Sequence, residues 1–384
     1  MKGIKWHNHG WLLCIALIAF SLVLASCAGA QAPSTQAPAA PTQAPATPTK
    51  APAAQATPAP AATGAKVQKV AIVLPASRTD HGWNQQGADN LTQVGKELGI
   101  TVEVAENQGY DDITPVLKDL ADKKFDLIVC HASGYQTQCP EFAEKSKVKV
   151  AIIENPPAAK PGLIADIETQ AQEVAYLAGV LAGKLTKTGI VGDVVSGEPP
   201  TWNFMTVGFA EGLKASKPDA KFLYSVIGDA AYEDAAGAKR VTAAQLAAGA
   251  DIIFGQGDGA SFGMMQAIEE HNTKGGNKAL FIDVIGDKRD IDKNKILLTS
   301  VLFDYTGIYK DMIKAIENGT FGKVYTMEVK NAGVRLLDLP SSVPADVIEA
   351  VNKAKDDIVA GKIKVSAISD AAQMRARLDQ LFPK

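Results

Sequence analysis

Three rhythms of apolar and polar residues follow one another along this chain. From Trp11 to Leu24 nearly every position is apolar, and Lys2 and Lys5 precede the run. From about Ala28 to Ala65 the residues are almost all Ala, Pro, Gln and Thr, with no apolar period. From Lys66 onward, short apolar runs alternate with stretches of helical period. Val70–Leu74 ends at Pro75 and reads as a buried strand. Helices are expected over 82–98, 114–123 and 140–146, and strands over 100–105, 127–130 and 148–153. The alternation then restarts. Helices are expected over 169–185, 203–215, 233–248 and 262–270, and strands over 189–195, 221–227, 251–254 and 280–285. The end of the chain reads as strand 296–304, helix 307–318, strand 324–330 and helices 344–359 and 369–381. Strands separated by helical patterns imply βαβ units and parallel sheets covered on both faces. Two such α/β sheets in tandem place a ligand in the crevice outside the strand carboxyl ends.

The first 26 residues have the parts of a secretory leader: a basic start, an apolar middle and small residues before a break. The break, Leu24-Ala25-Ser26-Cys27, resembles the lipobox of a bacterial lipoprotein. That resemblance implies cleavage before Cys27, lipid on its thiol, and a mature protein held on the extracytoplasmic face of the cell membrane. The alternative, an uncleaved membrane helix, fits less well, because the run is shorter than the roughly 20 residues a span needs. Residues 27–65 then form a tether. With so little apolar surface to bury, it cannot offset chain entropy. Its prolines favour a semi-rigid extended spacer, which at ~3.1 Å per residue reaches at most ~120 Å.

The chain has 384 residues, 46% hydrophobic and 21% charged, so what remains after leader and tether suffices for two lobes. The net charge is -3, and no long basic run supports nucleic-acid binding. Of four cysteines, Cys14 leaves with the leader and Cys27 carries lipid. Cys130 and Cys139 remain, and an exported location permits a disulfide between them. No zinc spacing surrounds them, so no metal or cofactor is expected. No His-Glu-x-x-His or P-loop is present, and no dense Asp cluster, which argues against an exported nucleoside-processing enzyme or a nucleotide hydrolase.

Several stretches occur in an order that resembles the basic membrane lipoprotein (BMP, PnrA-like) substrate-binding proteins. They are Asp80-His-Gly-Trp83-Asn84, Tyr176-Leu-Ala-Gly179, Asn203 with Gly208-Phe-Ala-Glu-Gly212, and Ile252-Ile-Phe-Gly-Gln-Gly-Asp-Gly259. Leu297-Leu-Thr-Ser300 and Ile313-Lys-Ala-Ile-Glu-Asn-Gly-Thr-Phe321 complete the set. The resemblance implies a type I periplasmic-binding-protein fold: α/β, two doubly wound lobes and a hinge of three crossovers. The crossovers are expected near Asp166, Leu302 and Gly322. The first lobe would then comprise 67–166 plus 302–322, and the second 167–301 plus 323–384. It also implies a non-enzymatic receptor that delivers a purine nucleoside to the permease of an ABC importer. The alternatives are a sugar, a free nucleobase or an amide on the same fold, since fold does not fix function.

A nucleoside binder needs plates for the two faces of the base, and acceptors and donors for its edge and the ribose. Trp83 matches the family's aromatic and is the candidate plate; Trp202 and Tyr135 are candidates for the opposite face. The family's Gly-Phe pair after the third strand is here Ser133-Gly134-Tyr135, a departure from the pattern. Asp80 and Asn84 are candidates for base edge or ribose, with a helix cap as the other role for Asp80. Asp258, between two glycines at a strand end, is a candidate for the ribose hydroxyls. Asp287 and Asn203 complete the set, with a turn and a helix cap as their alternatives. His81 and His131 lie nearby. So acidic a set, without matched Arg or Lys, argues against a phosphorylated ligand.

Overall fold

The computed structural model describes residues 65–275 and 277–383. The leader, Cys27 and nearly all of the tether lie outside them. Two six-stranded sheets are built from twelve strands. The first begins with β1 (Lys69–Val73), α1 (Trp83–Leu98), β2 (Thr101–Ala105), α2 (Thr114–Asp122), β3 (Leu127–Cys130), α3 (Gln138–Ser146), β4 (Val150–Ile153) and β5 (Ile164–Thr169). The second comprises α4 (Ala171–Leu185), β6 (Ile190–Val195), α5 (Pro200–Ser216), β7 (Lys221–Val226), α6 (Ala235–Ala247), β8 (Ile252–Gln256), α7 (Ser261–Thr273), β9 (Leu280–Ile285) and β10 (Leu297–Phe303). The chain then returns through α8 (Thr306–Glu317) to β11 (Val324–Met327), and goes back through β12 (Val334–Leu336) to α9 (Ala345–Val359) and α10 (Ala371–Leu381).

Strand order is β2-β1-β3-β4-β5-β11 in one sheet and β7-β6-β8-β9-β10-β12 in the other. All pairs are parallel except β10–β12. Central strands such as Leu127–Cys130 and Leu297–Phe303 are buried at every position, as sheets covered on both faces require. In each sheet the order reverses at the first strand, between β1 and β3 and between β6 and β8. Loops diverge there and open a crevice.

Helix periodicity works as physics demands. In α1, Ala88, Leu91 and Val94 point inward, and Gly99 in the left-handed region ends the helix with its N–H on Gly95 O. Helix α4 is buried almost all round, because it crosses α5 at backbone contact. A Cβ on Gly179 would lie 2.0 Å from Phe209 O, and one on Gly212 would lie 2.0 Å from Tyr176 O. The Tyr-Leu-Ala-Gly and Gly-Phe-x-x-Gly stretches are therefore a close helix crossing.

Two expectations about the lobe boundaries need correction, and the crossing expected near Leu302 falls within one residue of that position. Residues 164–169 form a strand of the first sheet, so the first crossing follows Thr169 rather than falling near Asp166. Asp166 and Glu168 break the apolar run that would have announced the strand; Asp166 is nonetheless fully buried and accepts the Asn155 amide at 2.7 Å. The second crossing follows Phe303, the last residue of β10. Strand β11 pairs with β5 in the first sheet, not the second, and the third crossing lies after Met327. The reason is that α8 packs against α1 and delivers the chain to the first sheet's edge. The crossings are tied together: Gln170 N–H donates to Met327 O at 2.8 Å, and Val329 N–H to the Glu173 carboxylate at 3.0 Å.

Candidate functional site

A cavity of about 330 Å³ lies between the facing carboxyl ends of the two sheets. The first lobe contributes Trp83, Asn84, Tyr110, Ser133 and Glu154; the second contributes Thr201, Trp202, Tyr232 and Asp258. Those segments follow β1, β2, β3 and β4 on one side and β6, β7 and β8 on the other. The lining thus carries four aromatic rings and two carboxylates, and no lysine or arginine.

The rings are held from behind. Trp83 stacks on His131 with centroids 4.6 Å apart, and its Nε1–H donates to His131 O at 2.9 Å. His131 is fully buried, and its Nε2 lies 3.0 Å from Trp83 O, which fixes Nε2 as the protonated nitrogen. Burial lowers its pKa to about 4, so the ring is neutral. Across the cavity, Trp202 donates its Nε1–H to Ser196 Oγ at 2.9 Å and meets Tyr232 edge-on at 6.3 Å. Aromatic pairs at such separations favour edge or offset packing, which gives the walls fixed orientations.

The amino end of α1 is where the lobes meet. The first amides of a helix have no partner within it. Asp80 accepts three, from Gly82 at 3.0 Å, Asn84 at 2.9 Å and Gln85 at 2.9 Å. Asp258, from the other lobe, accepts the Trp83 amide at 3.1 Å. Gly82 permits this, since a Cβ there would lie 2.4 Å from Asp258 Oδ1. Two further bonds cross: Lys288 Nζ donates to His81 O at 2.8 Å, and Thr201 Oγ1 donates to Glu154. Lys288 is fully buried and paired with Asp283. The lobes are therefore closed on one another. Asp258 is 9% exposed, and its pKa is pushed up to about 7 by burial first and the Asp80 charge second. The Trp83 amide and Lys288 act in the opposite sense.

Of the candidates named from the sequence, Trp83, Asn84, Trp202 and Asp258 are brought together around the cavity. Asp80 lies beneath it, its carboxylate occupied as the cap of α1. Tyr135 is fully buried in the first lobe's core, its hydroxyl on Gly109 O at 2.6 Å; Tyr110 lines the cavity instead, over Gly134. The short helical turn Ser133–Tyr135 rotates residue 135 inward, a turn that local pattern did not reveal. Asn203 faces away, donating to Glu198 O at 3.0 Å and Ser369 O at 2.6 Å. Asp287 is exposed and forked by Arg289, the turn role. Tyr110, Tyr232, Glu154 and Lys288 were not singled out from the sequence. Only Glu154 carried a signal, since it directly follows the apolar run of β4. Its φ of 58° is unusual for a non-glycine residue, a mark common at functional sites. Cys130 and Cys139 are joined by a disulfide that ties the end of β3 to α3. Among the described residues no group of side chains could hold a metal ion, and no helix is long and apolar enough to cross a membrane.

Two lobes, crevice loops at both strand reversals and a closed interlobe cavity define a solute-binding protein of the type I fold. The family model for PnrA-like ABC transporter substrate-binding proteins (Bmp) matches residues 67–369, and the chain belongs to that family. Its members are solute-binding proteins. The chain is 27% identical over 316 residues to the ABC transporter nucleoside-binding protein BmpA of Lactococcus lactis subsp. cremoris, covering 77% of this chain and 88% of that one. It is also 27% identical over 309 residues to an uncharacterized lipoprotein of Pyrococcus abyssi, covering 77% and 75%. A crystal structure of an ABC transporter solute-binding protein from Aeropyrum pernix superimposes with a TM-score of 0.71 at 20% identity, over 82% of this chain and 97% of that one.

Proposed function

We propose that this protein is a lipid-anchored, extracytoplasmic receptor that captures a purine nucleoside between its lobes and presents it to the permease of an ABC importer. The observation that carries the reading is the cavity lining: aromatic walls from both lobes, with Glu154 and Asp258 between them and no cation. Base stacking on such walls is worth roughly 1–3 kcal/mol per base. The carboxylates accept from ribose hydroxyls or base N–H groups, and the acidic lining disfavours a phosphate. The relative named for nucleoside binding supports the same assignment. Trp83 and Trp202 act as plates, Asn84 and Glu154 address the base edge, and Asp258 addresses the ribose while latching the lobes. No catalytic role is assigned to any of them. Cys27 carries the lipid and the proline-rich tether spaces the lobes from the membrane.

The test is thermal unfolding of residues 66–384 against purine and pyrimidine nucleosides, free bases, nucleotides and sugars. A ligand at a hundred times its dissociation constant adds about 2.7 kcal/mol. An upward shift with purine nucleosides, and none with their phosphates, is the expected result. A shift with a sugar alone overturns the nucleoside assignment and leaves the fold standing.

A further inference from the structure

The family match ends at residue 369, yet the chain continues into α10, Ala371–Leu381. This last helix is built into the second lobe. Met374 and Leu378 are buried against Val207 and Ala210 of α5. Asp370 caps it by accepting the Gln373 amide at 2.9 Å. Two arginines of the helix then reach the helix beneath. Arg377 grips Glu211, near the carboxyl end of α5, at 2.7 and 3.0 Å. Arg375 forks Glu198, just before the amino end of α5, with Nε 3.0 Å from Oε1 and Nη2 on Oε2.

Glu198 begins the segment Glu198-Pro-Pro-Thr-Trp202, of which Pro199, Thr201 and Trp202 form part of the second lobe's wall of the cavity. The segment is pinned at three further points. Tyr224 donates its hydroxyl to Glu198 Oε1 at 2.8 Å, and Asn203 bonds both Glu198 O and Ser369 O. Glu198 keeps only 19% of its side chain exposed, so its bidentate partner cannot be replaced by water without loss of order. A planar two-point bond fixes orientation as well as distance.

We infer that Arg375 is a positioning residue: through Glu198 it holds the wall that carries Thr201 and Trp202, so α10 is a brace for the cavity. The experiment compares Arg375→Ala, Arg375→Lys and Arg377→Ala by amide hydrogen exchange in unliganded protein. Arg375→Ala is expected to speed exchange over 198–203, including the Asn203 amide on Pro199 O, by about tenfold. Arg375→Lys keeps the charge but not the fork and gives an intermediate effect. Arg377→Ala, which loosens the same helix at its other anchor, leaves 198–203 unchanged. Unchanged exchange in Arg375→Ala, or an equal rise in Arg377→Ala, overturns the inference. A second readout rests on the nucleoside reading: Arg375→Ala weakens guanosine binding about tenfold with little change in melting temperature. If guanosine, adenosine and inosine all fail to bind either protein while the exchange pattern holds, the nucleoside reading fails and the brace stands.

Discussion

Replacing Asp258 with Asn should make the unliganded protein more stable at pH 8 and no more stable at pH 4. Asp258 is a latch made from a group that resists being charged where it sits. An ordinary Asp titrates near 3.8; burial and the neighbouring Asp80 push this one up to about 7. Its closed-state pKa lies above the unfolded value. Its contribution to stability is therefore complete below about pH 4 and lost as pH rises through about 7. Roughly three pH units at 1.36 kcal/mol each give a limit of about 4 kcal/mol at pH 8. The protein can evade part of that cost by opening its lobes and rehydrating the carboxylate, so a gain of about 1–4 kcal/mol is expected for the variant. Asn retains the oxygen that accepts the Trp83 amide, and it removes the repulsion with Asp80 and Glu233. Urea unfolding of parent and variant at pH 4, 6 and 8 measures the difference directly. His131, lowered to about 4, works in the opposite sense below pH 6.5, but it is common to both proteins and cancels. A variant no more stable than the parent at pH 8, or a difference independent of pH, refutes the reasoning. Nucleoside affinity should fall in the same variant, a stability gained at the cost of function.

Trp83→Ala should weaken purine nucleoside binding by roughly 5- to 150-fold, the 1–3 kcal/mol of one stacking face, read by calorimetry; unchanged affinity would remove Trp83 from the site. Gly212→Val inserts carbon where Tyr176 O already lies within 2.0 Å of an added Cβ, so the α4–α5 crossing must separate. A loss of at least about 1–3 kcal/mol is expected in urea unfolding, with a melting temperature well below the parent's. Replacing both Cys130 and Cys139 with Ser frees a loop of nine-residue separation, which costs about 2–3 kcal/mol in the chain-entropy account; reductant should lower the parent's melting temperature to that of the variant and leave the variant unmoved.

The alternation of strand and helix was written in local pattern, because the side-chain period of each element is set by its own backbone geometry. Two lobes and a crevice at the strand ends followed from that alternation. Glycine spacing in 176–179 and 208–212 was visible too, though its meaning as a helix crossing appeared only in three dimensions. What the tertiary structure alone decided is which way each strand-end residue faces. Asp80 and Asp258 look alike as acids in loops that follow strands, yet one is consumed as a local cap and the other reaches 175 positions back to the Trp83 amide. Tyr135 turns inward while Tyr110, in a segment without any period, turns toward the cavity. Asp166 hid a strand because a buried carboxyl group, one oxygen of which accepts the Asn155 amide, reads in one dimension as a polar break. Sequence carries the period of an element; the direction of a loop side chain is fixed by partners far away along the chain.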